Sequence, residues 1–343
     1  MSKITLKALA EYLELSVSTV SRALNDSYEI SEETKERVRL AAKKFGYTPN
    51  MAAKGLKTGK SNSIGLIIPY LSSAFQSQIL EGAQQTALEH NVNLIFMQSR
   101  ENEKIEKECL QALIQQNIDG IIIAPSANSS VSYLKQVNKQ VPLVLVDRID
   151  FELDAPKIGV DSEFGAYQAT RHLLENGKMD ILVLAGKNLG VNSTRILGYK
   201  KALQDFKIPF QPDHIIQINH GQESDELMNN LKMMLERKLK QFDKPIGLLG
   251  ITDTLTVNSL GVLHQLGKKV PHDVSVIGFA NLLFAESLNP PLSCIVQPAI
   301  EMGRTAVEEL MKFVQTKVNP ELVAEQIILK PEIILRDSSN LFS

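Results

Sequence analysis

The stretch ELSVSTVSRALND, residues 14–26, settles the class of the N-terminal region, and the rest of the chain reads outward from it. It sets four hydroxyls (Ser16, Ser18, Thr19, Ser21) and Arg22 around Leu15, Val20 and Leu24. Ser16 is placed to cap a helix from Val17 to Leu24, because a serine oxygen can accept an orphan N–H of the first turn. Asn25 and Asp26 end that helix. Upstream, Thr5 can cap a helix over about Leu6–Leu13, with Leu6, Leu9, Ala10 and Leu13 on one face. Downstream, Ser31 opens a third helix with Thr34 three residues on. Val38, Ala41, Ala42 and Phe45 are expected to point inward, and Gly46 is a C-cap candidate before Tyr47-Thr48-Pro49. Three short helices with a tight turn between the first two form a helix-turn-helix. In such a unit Val20 and Leu24 pack on the first helix, and the outer N-terminal face of the second enters a major groove. Short side chains there allow close approach, and an arginine can pair bidentately with guanine. The helix pattern alone also fits a three-helix module that binds another protein.

The chain has 343 residues, too many for one ordinary core, so two or three domains are expected. Residues 1–60 carry 11 Lys and Arg against 7 Asp and Glu, and the remainder 26 against 32. A mildly basic head on an acidic body suggests that the head meets an anion. With 43% apolar and 22% charged residues the composition is that of a globular protein. No apolar run approaches bilayer-spanning length, and MSKITLKALAEYL lacks the apolar core of a signal peptide, so a cytoplasmic location is expected. Cys109 and Cys294 have neither metal-site spacing nor the density of a disulfide framework; they read as small core residues.

Beyond residue 61 short apolar runs alternate with amphipathic stretches. IGLIIP (64–69), VNLIFM (92–97), DGIIIAP (119–125) and PLVLVD (142–147) form one set; DILVLAG (180–186), HIIQIN (214–219), PIGLLGI (245–251) and DVSVIGF (273–279) form a second. This is a βαβ pattern with parallel sheets, and two consecutive sets imply two Rossmann-like lobes. LSCIVQP (292–298), a helix over 300–316 and IILKPEIILRDSS (327–339) break the alternation.

The run ITLKALAEYLELSVSTVSRALND followed by ISEETKERVRLAAKKFGYTPN closely resembles the headpiece of the LacI/GalR (lactose-repressor/galactose-repressor) family of bacterial regulators. VPHDVSVIGF, PPLSCIVQP and EMGRTAVEEL resemble its C-terminal pattern, so the likeness covers essentially the whole chain. It implies an all-α helix-turn-helix headpiece and an α/β periplasmic-binding-protein-like body of two Rossmann-like lobes joined by three crossovers. The implied domains are the headpiece (1–49), a hinge helix and linker (50–61), a first lobe (62–161 with 292–320) and a second lobe (162–291 with 321–339). It also implies a sequence-specific repressor that binds a near-palindromic operator as a homodimer and answers to a small molecule between its lobes. No leucine-rich heptads follow residue 339, so a dimer rather than a coil-built tetramer is expected.

Carried over residue by residue, the DNA-facing positions are Thr5, Leu6, Ser16, Val17, Ser18, Thr19, Ser21, Arg22, Asn25, Ser31, Thr34 and Tyr47. Asn50, Ala53, Lys54 and Leu56 belong to the hinge. Val17 and Ser18 stand at the family's variable base-reading positions, Arg22 at its guanine-reading arginine, and Leu56 at the leucine that wedges open a base step. Glu14 departs from the glycine many relatives carry in the turn, and positive φ there would cost on the order of 1 kcal/mol.

Ligands of open α/β sheets meet the carboxyl ends of strands. The effector candidates are therefore Ser72, Ser73, Phe75, Asp147 and Arg148 from the first lobe, and Arg195, His220, Asp253 and Asn281 from the second. Arg195 in RILGY and Asp253 in TDT match the family's cleft residues, whereas Asn281 stands where many relatives carry aspartate. An arginine, an aspartate and an aromatic face suit a polyhydroxylated ligand such as a sugar. Core packing for Phe75, and a salt bridge for Arg195 and Asp253, are the alternatives.

Enzyme signatures are missing. No GxGxxG follows a strand, LAGKNLG (184–190) is not a phosphate loop, and neither HExxH nor GxSxG occurs. No metal or other cofactor is expected; His214 and His220 alone do not make a metal site. The competing reading is a cytoplasmic sugar-binding or sugar-processing protein with a vestigial DNA-binding head.

Overall fold

Capping side chains set the limits of the first three helices. A computed structural model describes residues 4–47, 61–187, 192–219, 224–316 and 325–340. Helix α1 (Leu6–Leu13) begins where Thr5 Oγ1 accepts from Ala8 N, and α2 (Val17–Leu24) where Ser16 Oγ accepts from Thr19 N. Helix α3 (Glu32–Phe45) begins where Ser31 Oγ accepts from Thr34 N, and Gly46 closes it at φ 62°. Leu9, Ala10, Leu13, Val20, Ala23, Val38, Ala41 and Ala42 fill the space between them. Ala23 is buried, while Leu24 packs only partly on this core. Phe45 corrects the inward expectation: it is 37% exposed, with its ring edge-on to Tyr12 at 4.6 Å.

The chain divides into two compact units, residues 1–61 and 62–343. The second holds two six-stranded sheets. The first sheet contains β1 (Ser63–Ile68), β2 (Asn93–Gln98), β3 (Gly120–Ile123), β4 (Leu143–Val146), β5 (Lys157–Val160) and β11 (Gln326–Leu329), in the order β11-β5-β4-β3-β1-β2. The second contains β6 (Ile181–Gly186), β7 (Ile215–Ile218), β8 (Ile246–Gly250), β9 (Val274–Phe279), β10 (Ser293–Val296) and β12 (Glu332–Ile334), in the order β12-β10-β9-β8-β6-β7. Every pairing is parallel except β10 with β12. Parallel strands covered on both faces read as continuous apolar runs, and Ile121, Ile122 and Ile123 show it, all fully buried.

Helices α4 (Ala74–Glu89) and α11 (Ala299–Thr316) cover one face of the first sheet, with α5 (Glu103–Gln115) and α6 (Val131–Asn138) on the other. Helices α7 (Ser162–Glu175) and α8 (Asn192–Asp205) cover one face of the second, α9 (Ser224–Leu239) and α10 (Asp253–Gln265) the other. The α4–α11 contact is close because each helix offers a glycine. A Cβ at Gly82 would run into Ile300 O, and one at Gly303 into Ile79 O. Cys109 and Cys294 are buried and unpaired.

The sheet order corrects the lobe boundaries expected from sequence. The first pass between lobes follows β5. The second falls after β10, not before residue 292, because Ser293 and Cys294 register beside Ile277 and Gly278 of β9. The third falls after β11, since Gln326–Leu329 pairs with β5 in the first lobe and only β12 returns to the second. Thus residues 293–296 belong to the second lobe and 326–329 to the first, and Pro331 lies at the third pass.

Candidate functional site

The outer face of α2 presents the predicted hydroxyls, but several have structural partners. Ser16 Oγ lies 2.7 Å from Ser18 Oγ and 2.8 Å from Thr19 Oγ1, besides accepting from Thr19 N. Ser31 and Thr34 repeat the arrangement at the start of α3, with hydroxyls 2.9 Å apart. Asn25 Nδ2 donates to Ser21 O at 2.7 Å. Thr5, Ser16, Val17, Ser18, Arg22, Asn25 and Ser31 are exposed; Leu6, Thr19, Ser21, Thr34 and Tyr47 are half-buried. Arg22 Nη1 donates to Glu29 Oε2 at 2.9 Å, a solvated pair that sequence reasoning missed. Such a pair is worth at most about 1 kcal/mol, so a guanine can compete for the guanidinium. Asp26 closes the same region by pairing with Lys35 and Arg39, and Lys35 in particular holds its carboxyl below the usual range. The hinge positions Asn50, Ala53, Lys54 and Leu56 lie outside the described residues, as does His220.

The remaining effector candidates gather between the two sheets of the body. Ser73 caps α4 by accepting from Gln76 N, and the exposed Ser72 precedes it. Phe75 takes the core-packing alternative weighed for it. Its ring is buried in the first-lobe core, and its N–H donates across the lobes to Asp253 Oδ2 at 3.4 Å. Asp147 follows β4 with φ 68° and accepts from Gln76 Nε2 at 3.0 Å. Arg148 is engaged elsewhere: Nη1 and Nη2 hold Glu101 at 2.8 and 2.7 Å, and Nη1 also reaches Pro125 O.

Arg195 is the buried cation of the cleft. Its Nη1 donates to Ile251 O at 2.6 Å, Nη2 to Gln297 Oε1 at 3.2 Å and Nε to Ser162 Oγ at 3.4 Å. Its guanidinium carbon stands 3.8 Å over the Phe279 ring. Burial brings its pKa down to about 10, opposed by the charges of Asp147 and Asp253. Loss of water raises Asp253 to about 6 against the pull of Arg195. Asp147 is raised by the same cause, against Arg148 and Arg195. No salt bridge joins Arg195 to Asp253 among the described residues; the two act on one another through the field. Asn281 reaches the cleft, but its amide is bonded to Gln78 and to the Gln297 backbone.

Gln76, Gln78, Glu101 and Gln297 were not anticipated. Glutamine carries no motif, and Gln78 meets Asn281 over 203 positions of sequence. Gln76 Oε1 and Gln297 Nε2 are buried with no hydrogen-bond partner among the described residues. An unmet acceptor and an unmet donor beside Arg195 and two aspartates suit a ligand that both donates and accepts hydrogen bonds. No group of three or more His, Cys, Asp or Glu that could hold a metal ion occurs among the described residues, and no described helix is long and apolar enough to cross a membrane.

A capped helix-turn-helix joined in one chain to a two-lobed body with a polar cleft defines a ligand-responsive DNA-binding regulator. Residues 5–50 match the model of bacterial regulatory proteins of the lacI family, and 61–329 that of periplasmic binding proteins and the sugar-binding domain of the LacI family. The chain belongs to the LacI family and is a transcription regulator rather than an enzyme. It is 30% identical to the ribose operon repressor of Haemophilus influenzae, over 97% of this chain and 98% of that one. Among solved structures it is similar to the lac repressor dimer bound to operator and the anti-inducer ONPF, at 25% identity and a TM-score of 0.83, over 98% and 99% of the two chains. It is also similar to a LacI-family regulator from Enterococcus faecium with bound ribose, at 27% identity and a TM-score of 0.70, over 82% and 100%. Head and body are both matched, which disfavours the reading of a sugar-handling protein with a vestigial head.

Proposed function

We propose that this regulator is a homodimeric repressor, acting in the cytoplasm on the nucleoid, whose hold on a near-palindromic operator is set by an uncharged, polyhydroxylated carbohydrate in the interlobe cleft. The observation that carries the ligand class is the pairing of unmet Gln76 Oε1 and Gln297 Nε2 with Arg195, Asp147 and Asp253. A sugar hydroxyl both donates and accepts, so a polyhydroxylated ring suits groups of both kinds. The charge balance disfavours a phosphorylated ligand. Glu101 neutralises Arg148, leaving Arg195 against two aspartates. The domain boundaries that follow are residues 1–49, a hinge over 50–61, and lobes exchanging chain at the three passes described. On DNA, Arg22 reads a guanine with Val17 and Ser18 beside it, Thr5, Leu6, Thr19, Ser21, Asn25, Ser31, Thr34 and Tyr47 hold the backbone, and the hinge with Leu56 kinks the centre.

Thermal shifts across free pentoses and hexoses, their phosphates, nucleosides and purines test the ligand class. A sugar at a hundred times its dissociation constant should stabilise the body by about 2.7 kcal/mol, and Arg195→Met should abolish that shift. Shifts with sugar phosphates or purines but no free sugar would overturn the proposed class.

A further inference from the structure

Two contacts between the lobes start from one helix. Phe75 N–H meets Asp253, and three residues on, one turn along the same face of α4, Gln78 meets Asn281. The second contact is two-sided. Gln78 Nε2 donates to Asn281 O at 3.0 Å, and Asn281 Nδ2 donates to Gln78 Oε1 at 2.8 Å. Asn281 is itself clamped from behind: Nδ2 also donates to Gln297 O at 2.7 Å, and Oδ1 accepts from Gln297 N–H at 3.0 Å. The Gln297 N–H can meet only an acceptor, so it orients the Asn281 amide, and both Nδ2 hydrogens then point at carbonyl oxygens. Gln297 continues the chain of bonds to Arg195 through its Oε1. Buried amides that satisfy one another in this way give a defined geometry rather than a sliding surface.

We propose that Gln78 and Asn281 form an amide latch that fixes the angle between the lobes, with Asn281 serving this latch and not ligand recognition. The requirement at position 281 is for two donors and one acceptor, which asparagine supplies. Aspartate would bring a carboxylate oxygen against Gln78 Oε1 and Gln297 O with no hydrogen to share, and would push the lobes apart. The latch ends on Gln297, whose side chain holds Arg195, so a group that draws on Arg195 or Gln297 pulls on the lobe angle at the same place. That consequence rests on the proposed function; the latch itself does not.

The test measures the lobe angle directly. Spin labels are attached at the exposed positions Gln136→Cys and Gln204→Cys, one per lobe, in the full-length chain with Cys109 and Cys294 replaced by alanine. Without any added ligand, Gln78→Ala should shift and broaden the interlobe distance distribution. Gln78→Glu, which loses the donor and sets a carboxylate oxygen against Asn281 O, and Asn281→Asp should each do so at least as much as Gln78→Ala. Gln85→Ala, on an exposed position of α4, should overlay the parent. Gln78 is half-buried on the helix, so its alanine variant keeps the test meaningful if Asn281→Asp folds poorly. Distributions for Gln78→Ala and Gln78→Glu that overlay the parent would overturn the latch. Binding to a duplex selected from a random library by the parent protein is then measured with the same variants. A change of about fivefold or more would join the latch to regulation. Altered distances with unchanged DNA affinity would uphold the latch and refute the control of operator binding by lobe angle.

Discussion

Asp253 makes an electrostatic cost legible in a single side chain. Its carboxyl is raised from 3.8 to about 6 by loss of water, although Arg195 opposes the shift. A folded-state pKa above the unfolded one means that the native protein holds the extra proton between those values, so stability falls as pH rises through this window. The window runs from about pH 4 to about pH 6, and above it the folded state carries the full penalty. Two pKa units correspond to about 3 kcal/mol, and partial solvent access reduces this to about 2. Asp253→Asn keeps an acceptor for Phe75 N–H and removes the charge. Its melting temperature should exceed the parent's above pH 7, with the advantage fading towards pH 4. A pH-independent difference would mean that Asp253 does not ionise in this range. At this scale the sequence was informative where a charge carried the signal: Arg195, Asp147 and Asp253 were all expected in the cleft. It was silent for the glutamines, whose roles arise only when distant strands are brought together.

Helix ends were the most readable elements, because a cap is a local event. Thr5, Ser16 and Ser31 each accept from the turn they were expected to start, and Gly46 takes the left-handed conformation that ends α3. Glu14 takes the same conformation at the end of α1, with φ 56° and ψ 36°. A side chain there costs about 1 kcal/mol, and glycine removes that cost. Glu14→Gly should slow native-state amide exchange in α1 by about fivefold, the equivalent of 1 kcal/mol; unchanged or faster exchange would show that Glu14 is not strained. Most strands were legible as apolar runs and their lobes with them, but the lobes of the late strands were not. Nothing in SCIV or QIIL says which sheet it joins; that is fixed by a register with strands read earlier in the chain. β5 escaped notice because KIGV is short and begins with a lysine whose Nζ reaches Phe151 O.

The two lobes repeat one strand order, and the repeat leaves β2 and β7 at corresponding sheet edges. An open edge with an apolar side chain invites pairing and is normally covered or charged. In β2, Phe96 is 45% exposed, beside a groove of about 510 Å³ lined by Met97, Ile105, Glu108 and Cys109 among others. A second copy is the occupant that the proposed near-palindromic operator would call for, since a two-fold site is matched by a two-fold protein. Each copy would bring its own Phe96 to a self-complementary face. Phe96→Asp sets two carboxylates against that face without touching the cleft residues. On the proposed homodimer, light scattering at micromolar protein should then report monomer in place of dimer, and affinity for the full operator should fall towards that for a half-site. Sugar-induced thermal stabilisation should persist, because the cleft lies within one chain. A dimer that survives Phe96→Asp with its operator affinity intact would move the two-fold face elsewhere, with the exposed Leu283 and Phe284 after β9 the next positions to test.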